Sequence, residues 1–119
     1  MASGNAAAIP PDYIEDERLR INAYRMIAET GTEKDIARVR DELEDRYGPL
    51  PAALDRLLRL GRLRLAAAAS GVTAIETRGE KVLFTRGSDY VTAAGLLPRL
   101  TAREPDAKID QLLRLTRRL

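Results

Sequence analysis

Three carboxylates on one short stretch carry the most suggestive chemistry in this sequence. Asp41, Glu42 and Asp45 lie within Asp41-Glu42-Leu43-Glu44-Asp45-Arg46-Tyr47-Gly48-Pro49-Leu50-Pro51, the densest acidic run of the chain. Carboxylates grouped this way suit a hard cation such as Mg²⁺, or a general acid–base pair. Both uses are poorly served here. A single helix offers no loop to complete a metal's oxygen shell, and Arg38 and Arg46 stand within a turn to compete for the acids. Two readings are left for Asp41, Glu42 and Asp45. One is a solvated helix face with ion pairs worth a few tenths of a kcal/mol each. The other is a docking face for arginines of a partner, which bind carboxylates through charge-assisted hydrogen bonds.

Other catalytic groups are scarce. The chain has no Cys and no His, which removes thiol chemistry, disulfides, the commonest general base and the commonest transition-metal ligand. Ser3, Ser70 and Ser88 sit in the leader or in turns with no imidazole to activate them. No glycine-rich phosphate loop, dinucleotide fingerprint or nucleophile elbow occurs. No cofactor is expected. Net charge is only +2 although 32% of residues are charged, so the lopsided basic balance of a phosphate binder is missing. Aromatics at 4% are too few for a base-stacking platform. A basic contact with nucleic acid would have to use Arg56, Arg59, Arg114, Arg117 and Arg118. For Arg56, Arg59 and Arg62 the bland reading is a solvated helix face.

The elements that must position these groups follow from periodicity and punctuation. Met1 to Ala8 reads as a disordered tag or linker, and Ile9–Leu119 as one domain. Ile9-Pro10-Pro11-Asp12-Tyr13-Ile14 reads as extended, because each proline disfavours helix in the residue before it. Asp16 is the expected N-cap of a first helix to about Glu29, with Leu19, Ala23, Met26 and Ile27 inward and Gly31 as its stop. Thr32-Glu33-Lys34-Asp35 matches a capping box with Asp in place of Glu. It opens a second helix whose inward stripe is Ile36, Val39, Leu43 and Tyr47, leaving Asp41, Glu42 and Asp45 outside. Gly48 and Pro49 end it.

A third, central helix is predicted from Pro51 to about Ala69. Leu54, Leu57, Leu58, Gly61, Leu65 and Ala68 form its apolar face, and Gly61 lets a neighbour approach. The period then changes. Val72–Thr77 and Lys81–Arg86 read as a hairpin around Arg78-Gly79-Glu80, with Thr73, Ile75 and Thr77 on one face and Val82 and Phe84 paired on another. Tyr90–Thr92 reads as a third short strand, Leu96–Leu100 as extended around Pro98, and Pro105 to about Arg118 as a closing helix. Its inward residues are Ile109, Leu112, Leu113, Thr116 and Leu119. Three helices, a small antiparallel meander and a closing helix make an α+β domain. Its leucines, with Val82 and Phe84, supply the core of a monomer. No apolar run approaches the ~20 residues that span a bilayer, which points to a soluble, cytoplasmic protein.

Two blocks of the sequence resemble a known family. Pro10-Pro11-Asp12-Tyr13-Ile14-Glu15-Asp16-Glu17-Arg18-Leu19-Arg20 with Tyr24-Arg25 resembles the start of the C-terminal (TRCF) domain of the bacterial transcription-repair coupling factor, Mfd. Glu42-Leu43-Glu44-Asp45-Arg46-Tyr47-Gly48-Pro49-Leu50-Pro51, Leu57-Leu58, Arg62-Leu63-Arg64-Leu65 and Gly71-Val72 continue the match. The resemblance implies a non-catalytic regulatory domain within an ATP-dependent DNA translocase of bacterial transcription-coupled nucleotide-excision repair. It implies docking on a UvrB-like N-terminal module of the same protein, which hides the surface UvrA would bind. Residues matching Glu42 and Asp45 would face arginines of that module. RNA polymerase and DNA would be engaged through other domains, with a polymerase or nucleic-acid contact through the arginines above as the alternative. Glu44 stands where some relatives carry an apolar residue.

Overall fold

The computed structural model describes residues 7–119. The expectation for residues 1–6 lies outside the described residues. Four helices and a three-stranded antiparallel sheet make an α+β fold, α1 (Glu17–Ala28), α2 (Glu33–Tyr47), α3 (Ala52–Ala69), β1 (Val72–Arg78), β2 (Lys81–Arg86), β3 (Asp89–Tyr90) and α4 (Pro105–Arg117). The chain divides into two compact units, the first ending at Arg62 and the second running from Leu63 to Leu119.

In the first unit the helix starts are where their caps require. The Asp16 carboxylate accepts from the backbone N–H groups of Arg18 (2.8 Å) and Leu19 (3.3 Å), satisfying two donors that α1 leaves open. Thr32 and Asp35 form the reciprocal capping box of α2. The leading segment departs from the extended reading. The N–H groups of Tyr13 and Ile14 both donate to the Pro10 carbonyl, at 3.1 and 3.3 Å, so Pro11–Tyr13 coil into a single turn. Pro10 is still held out of helix by Pro11, but Pro11 tolerates the first helix-like position because that N–H has no partner to lose. Ile9 and Ile14 are thereby buried at either end of the turn.

Ala23 and Ile27, one turn apart, are the buried face of α1, whereas Leu19 is exposed. Ile36, Val39 and Leu43 are the buried face of α2. Leu54 and Leu58 on α3 are both buried as well. A methyl built on Gly61 would lie 3.1 Å from Cδ1 of Ile36, so the missing side chain permits the close approach.

Beyond Gly61 the buried stripe of α3 shifts. Leu63, Ala66 and Ala67 are buried while Ala68 is exposed, so the stripe drawn through Leu65 and Ala68 does not continue. In the second unit Leu63 and Ala66 pack with Ile109 and Leu113 of α4, and Ala67 with Val72, Val82, Phe84 and Leu100. The sheet order is β1-β2-β3, joined by two-residue loops between Arg78 and Lys81 and between Arg86 and Asp89. A bulge between Val72 and Ala74 resets the alternation of β1. It lets Val72 and Ile75, three residues apart, reach the same core. Residues around Pro98 extend along β2. The N–H of Val82 donates to the Pro98 carbonyl (2.9 Å) and that of Leu100 to the Glu80 carbonyl (2.6 Å). Gln111 of α4 fixes this strand's exit, its Oε1 accepting from the N–H groups of Thr101 (3.0 Å) and Ala102 (2.8 Å).

Candidate interaction surface on the second helix

Asp41, Glu42 and Asp45 are exposed on α2, outside the Ile36–Val39–Leu43 stripe. The arginines expected to compete for them are engaged elsewhere. Arg38 pairs with Asp35 at 3.3 Å. The Arg46 guanidinium lies 5.6 Å from the centre of the Tyr47 ring, a cation–π contact. Arg40 reaches across to α3 and bonds Asp55 at 2.7 Å. Asp41, Glu42 and Asp45 make no side-chain hydrogen bond or ion pair among the described residues.

Their placement is unfavourable for the isolated helix. Asp41–Asp45 and Glu42–Asp45 are like-charge pairs at i,i+4 and i,i+3, each destabilising by about 0.2–0.5 kcal/mol. Asp45 also lies in the last turn, where the helix dipole is negative and favours cations. The result is concentrated negative potential on a firmly seated helix, electrostatically complementary to a basic surface.

Two features hold that helix in place. At its start the Asp35 carboxyl is drawn below the usual carboxylate range, first by the Gly31 N–H it accepts and, against an opposing desolvation, also by Thr32 and Arg38. At its end the Tyr13 hydroxyl reaches the carbonyls of Gly48 (2.7 Å) and Leu43 (3.2 Å). The Tyr13 and Tyr47 rings meet at 5.8 Å. Burial pushes the Tyr13 phenol above its ordinary value, with Glu44 and Tyr47 adding to the effect. Gly48 has φ 91°, a conformation that a Cβ would strain, and this turn is what Tyr13 clasps. The two sequence blocks that carried the family resemblance are thus joined by one phenol.

Asp55 is a further anchor. It accepts from Arg40 of α2 and from Nε of Arg59 of α3, both at 2.7 Å. Desolvation raises its pKa, yet the hydrogen bonds and charges of Arg40 and Arg59 prevail and hold it below the usual value. In sequence Asp55 looks like an ordinary first-turn acid, and only its placement opposite Arg40 reveals the triad.

The basic residues are distributed differently. Arg56 is 8% exposed, not on a solvated face, because α3 is covered on more than the side of Leu54 and Leu58. Arg59 is half-buried on Asp55, and Arg62 stands 4.0 Å from Glu33. Arg114 and Arg117 on α4 and Arg118 at its C-cap are exposed, in the second unit. Among the described residues no group of three or more His, Cys, Asp or Glu side chains is placed to hold a metal ion. Among the same residues no helix is long and apolar enough to cross a membrane.

Fold and surface together define a small α+β domain that presents a charged helix face. The chain belongs to the TRCF domain family, whose model matches residues 4–94 and so covers α1 through β3. It is similar to the transcription-repair-coupling factor of Mycobacterium bovis, with 48% identity over 67 residues, 56% of this chain and 5% of that protein. The Staphylococcus haemolyticus transcription-repair-coupling factor shares 32% identity over 93 residues, 76% of this chain and 8% of that protein. The chain therefore spans only 5% to 8% of the length of these curated relatives. In fold it is similar to the crystal structure of a C-terminal domain of transcription-repair coupling factor, with TM-score 0.68 and 17% identity. The likeness covers 94% of this chain and 89% of that one.

Proposed function

We propose that this chain is the non-catalytic C-terminal regulatory domain of a transcription-repair coupling factor acting in nucleotide-excision repair in the bacterial cytoplasm. It docks on the UvrB-like N-terminal module of the same protein and masks the surface that UvrA binds. The observation that carries this reading is the acidic face of α2. Asp41, Glu42 and Asp45 are exposed and without a side-chain partner, while Arg38, Arg40 and Arg46 are engaged by Asp35, Asp55 and Tyr47. Arginines of the docking module supply the missing partners, and Arg–carboxylate pairs are often bidentate. RNA polymerase and DNA are engaged by other domains of the full-length protein.

Truncating one partner of a desolvated charge pair costs about 2–5 kcal/mol, enough to open an intramolecular dock held by a few such pairs. In the full-length protein, Glu42→Arg with Asp45→Arg should raise UvrA capture about tenfold or more, since each 1.4 kcal/mol is a factor of ten. Circular dichroism should show an unchanged fold. Equal, weak capture by wild type and variant returns these acids to a solvated face. The alternative, a nucleic-acid or polymerase contact through Arg56, Arg59, Arg114, Arg117 and Arg118, has less support. Arg56 is buried and Arg59 is held by Asp55.

A further inference from the structure

The second unit carries a cleft that the acidic-face reading does not use. It is a hollow of about 390 Å³ with a floor of Val91, Leu97, Leu115 and Leu119, and Arg86 and Arg118 on its rim. No acidic side chain and no aromatic ring lines it. Both arginines are exposed, and neither makes a side-chain hydrogen bond or ion pair among the described residues. Arg114, one turn before Arg118 on α4, is exposed as well.

At its lip the chain turns sharply from Ala93 to Leu96, whose backbone groups bond each other at 2.8 and 3.0 Å. Ala94 at the tip has φ 53°, the one non-glycine residue with positive φ among the described residues. Beside this strained residue Leu96 stands out, 72% exposed, the most exposed large apolar side chain among the described residues.

We propose that this cleft is a docking site for an acidic, leucine-bearing peptide segment of a partner protein. Charge complementarity selects the acidic character, since two unpaired guanidiniums sit where no acidic side chain answers them. The aliphatic floor and the exposed Leu96 select an apolar anchor. They disfavour nucleic acid, whose bases would need aromatic platforms. All of α4 and the lip residues Gly95–Pro98 lie outside residues 4–94, so this surface is largely separate from the part of the chain that matches the family model.

The probe is a short fluorescein-labelled peptide of aspartates and glutamates carrying two leucines, titrated into this chain by anisotropy. Saturable binding is expected, with amide shifts confined to residues 84–98 and 112–119. Arg86→Glu with Arg118→Glu should weaken it by tenfold or more, and a lysine-for-acid version of the peptide should bind that variant better than wild type. Leu96→Ser should weaken the acidic peptide while leaving the circular dichroism spectrum unchanged, because all three side chains are exposed. Failure to saturate overturns the proposal, as does equal binding by an acidic peptide without leucines. An oligothymidylate that binds as tightly and ignores Leu96→Ser would assign the surface to nucleic acid instead. Self-association abolished by Leu96→Ser would assign it to a second copy of the chain. None of Asp41, Glu42 and Asp45 on α2 takes part, so this test and the UvrA test fail independently.

Discussion

Replacing Asp55 with asparagine tests how the acidic helix is held. The carboxylate is 21% exposed and accepts two charge-assisted hydrogen bonds, from Arg40 (37% exposed) and Arg59 (33% exposed). Hydrogen bonds to charged groups contribute about 1.5–3 kcal/mol each when buried. Here both guanidiniums keep access to water and recover hydration when the partner is neutralised, so that figure must be discounted. Asparagine retains one acceptor oxygen. The net loss for Asp55→Asn should be about 1–2 kcal/mol near neutral pH, measured by urea unfolding followed by circular dichroism.

The pH dependence carries the sharper signature. The folded-state pKa of Asp55 is depressed. Its ionised form therefore favours folding, and this contribution is complete above the unfolded carboxyl's value of about 3.9. It disappears as pH falls through the lower folded value. The stability gap between wild type and Asp55→Asn should thus be constant from neutral pH down to about pH 5 and close under more acid conditions. A gap below about 0.5 kcal/mol at neutral pH would refute the reasoning, that being the range of an ordinary surface substitution. A gap unchanged on acidification would refute it equally.

Two further outcomes follow from the packing of the first unit. Tyr13→Phe removes the donor to the Gly48 and Leu43 carbonyls and should cost about 1 kcal/mol in urea unfolding, with hydrogen exchange accelerating at the end of α2. Unaltered exchange there would count against the clasp. Gly61→Ala should gain helix propensity of about 1 kcal/mol but forfeit it against Cδ1 of Ile36, 3.1 Å away. In an Ile36→Val background that methyl is gone, and the same substitution should stabilise. Strict additivity across this double-mutant cycle would show that the contact is not limiting.

The elements that were legible in the chain are those with local causes. Asp16 and Thr32 mark helix starts because their side chains close open donors within three residues. Gly48 and Pro49 mark a stop for equally local reasons, and the acidic face followed from the period of Ile36, Val39 and Leu43. What stayed hidden depends on placement between distant segments. Arg40 and Asp55 are fifteen residues apart and Tyr13 and Gly48 thirty-five, and nothing in either neighbourhood announces the partner. The burial of Arg56 and the shifted stripe of α3 share one cause. A helix wrapped by different neighbours along its length obeys no single periodicity. The bulge in β1 was likewise invisible, because one extra residue changes the face without changing composition.

The span of the Tyr13 clasp has a kinetic consequence. Closing a loop of thirty-five residues carries an entropic cost, and the target carbonyls exist in the right place only once α2 has formed and ended at Gly48. The hydrogen bond should therefore be absent from the folding transition state and form on the downhill side. Losing it should leave the refolding rate nearly unchanged and speed unfolding by about fivefold, the rate equivalent of about 1 kcal/mol. In stopped-flow measurements the folding limb of Tyr13→Phe should overlay that of wild type while the unfolding limb rises. The phenol governs how long the acidic helix stays seated, not how quickly it is built.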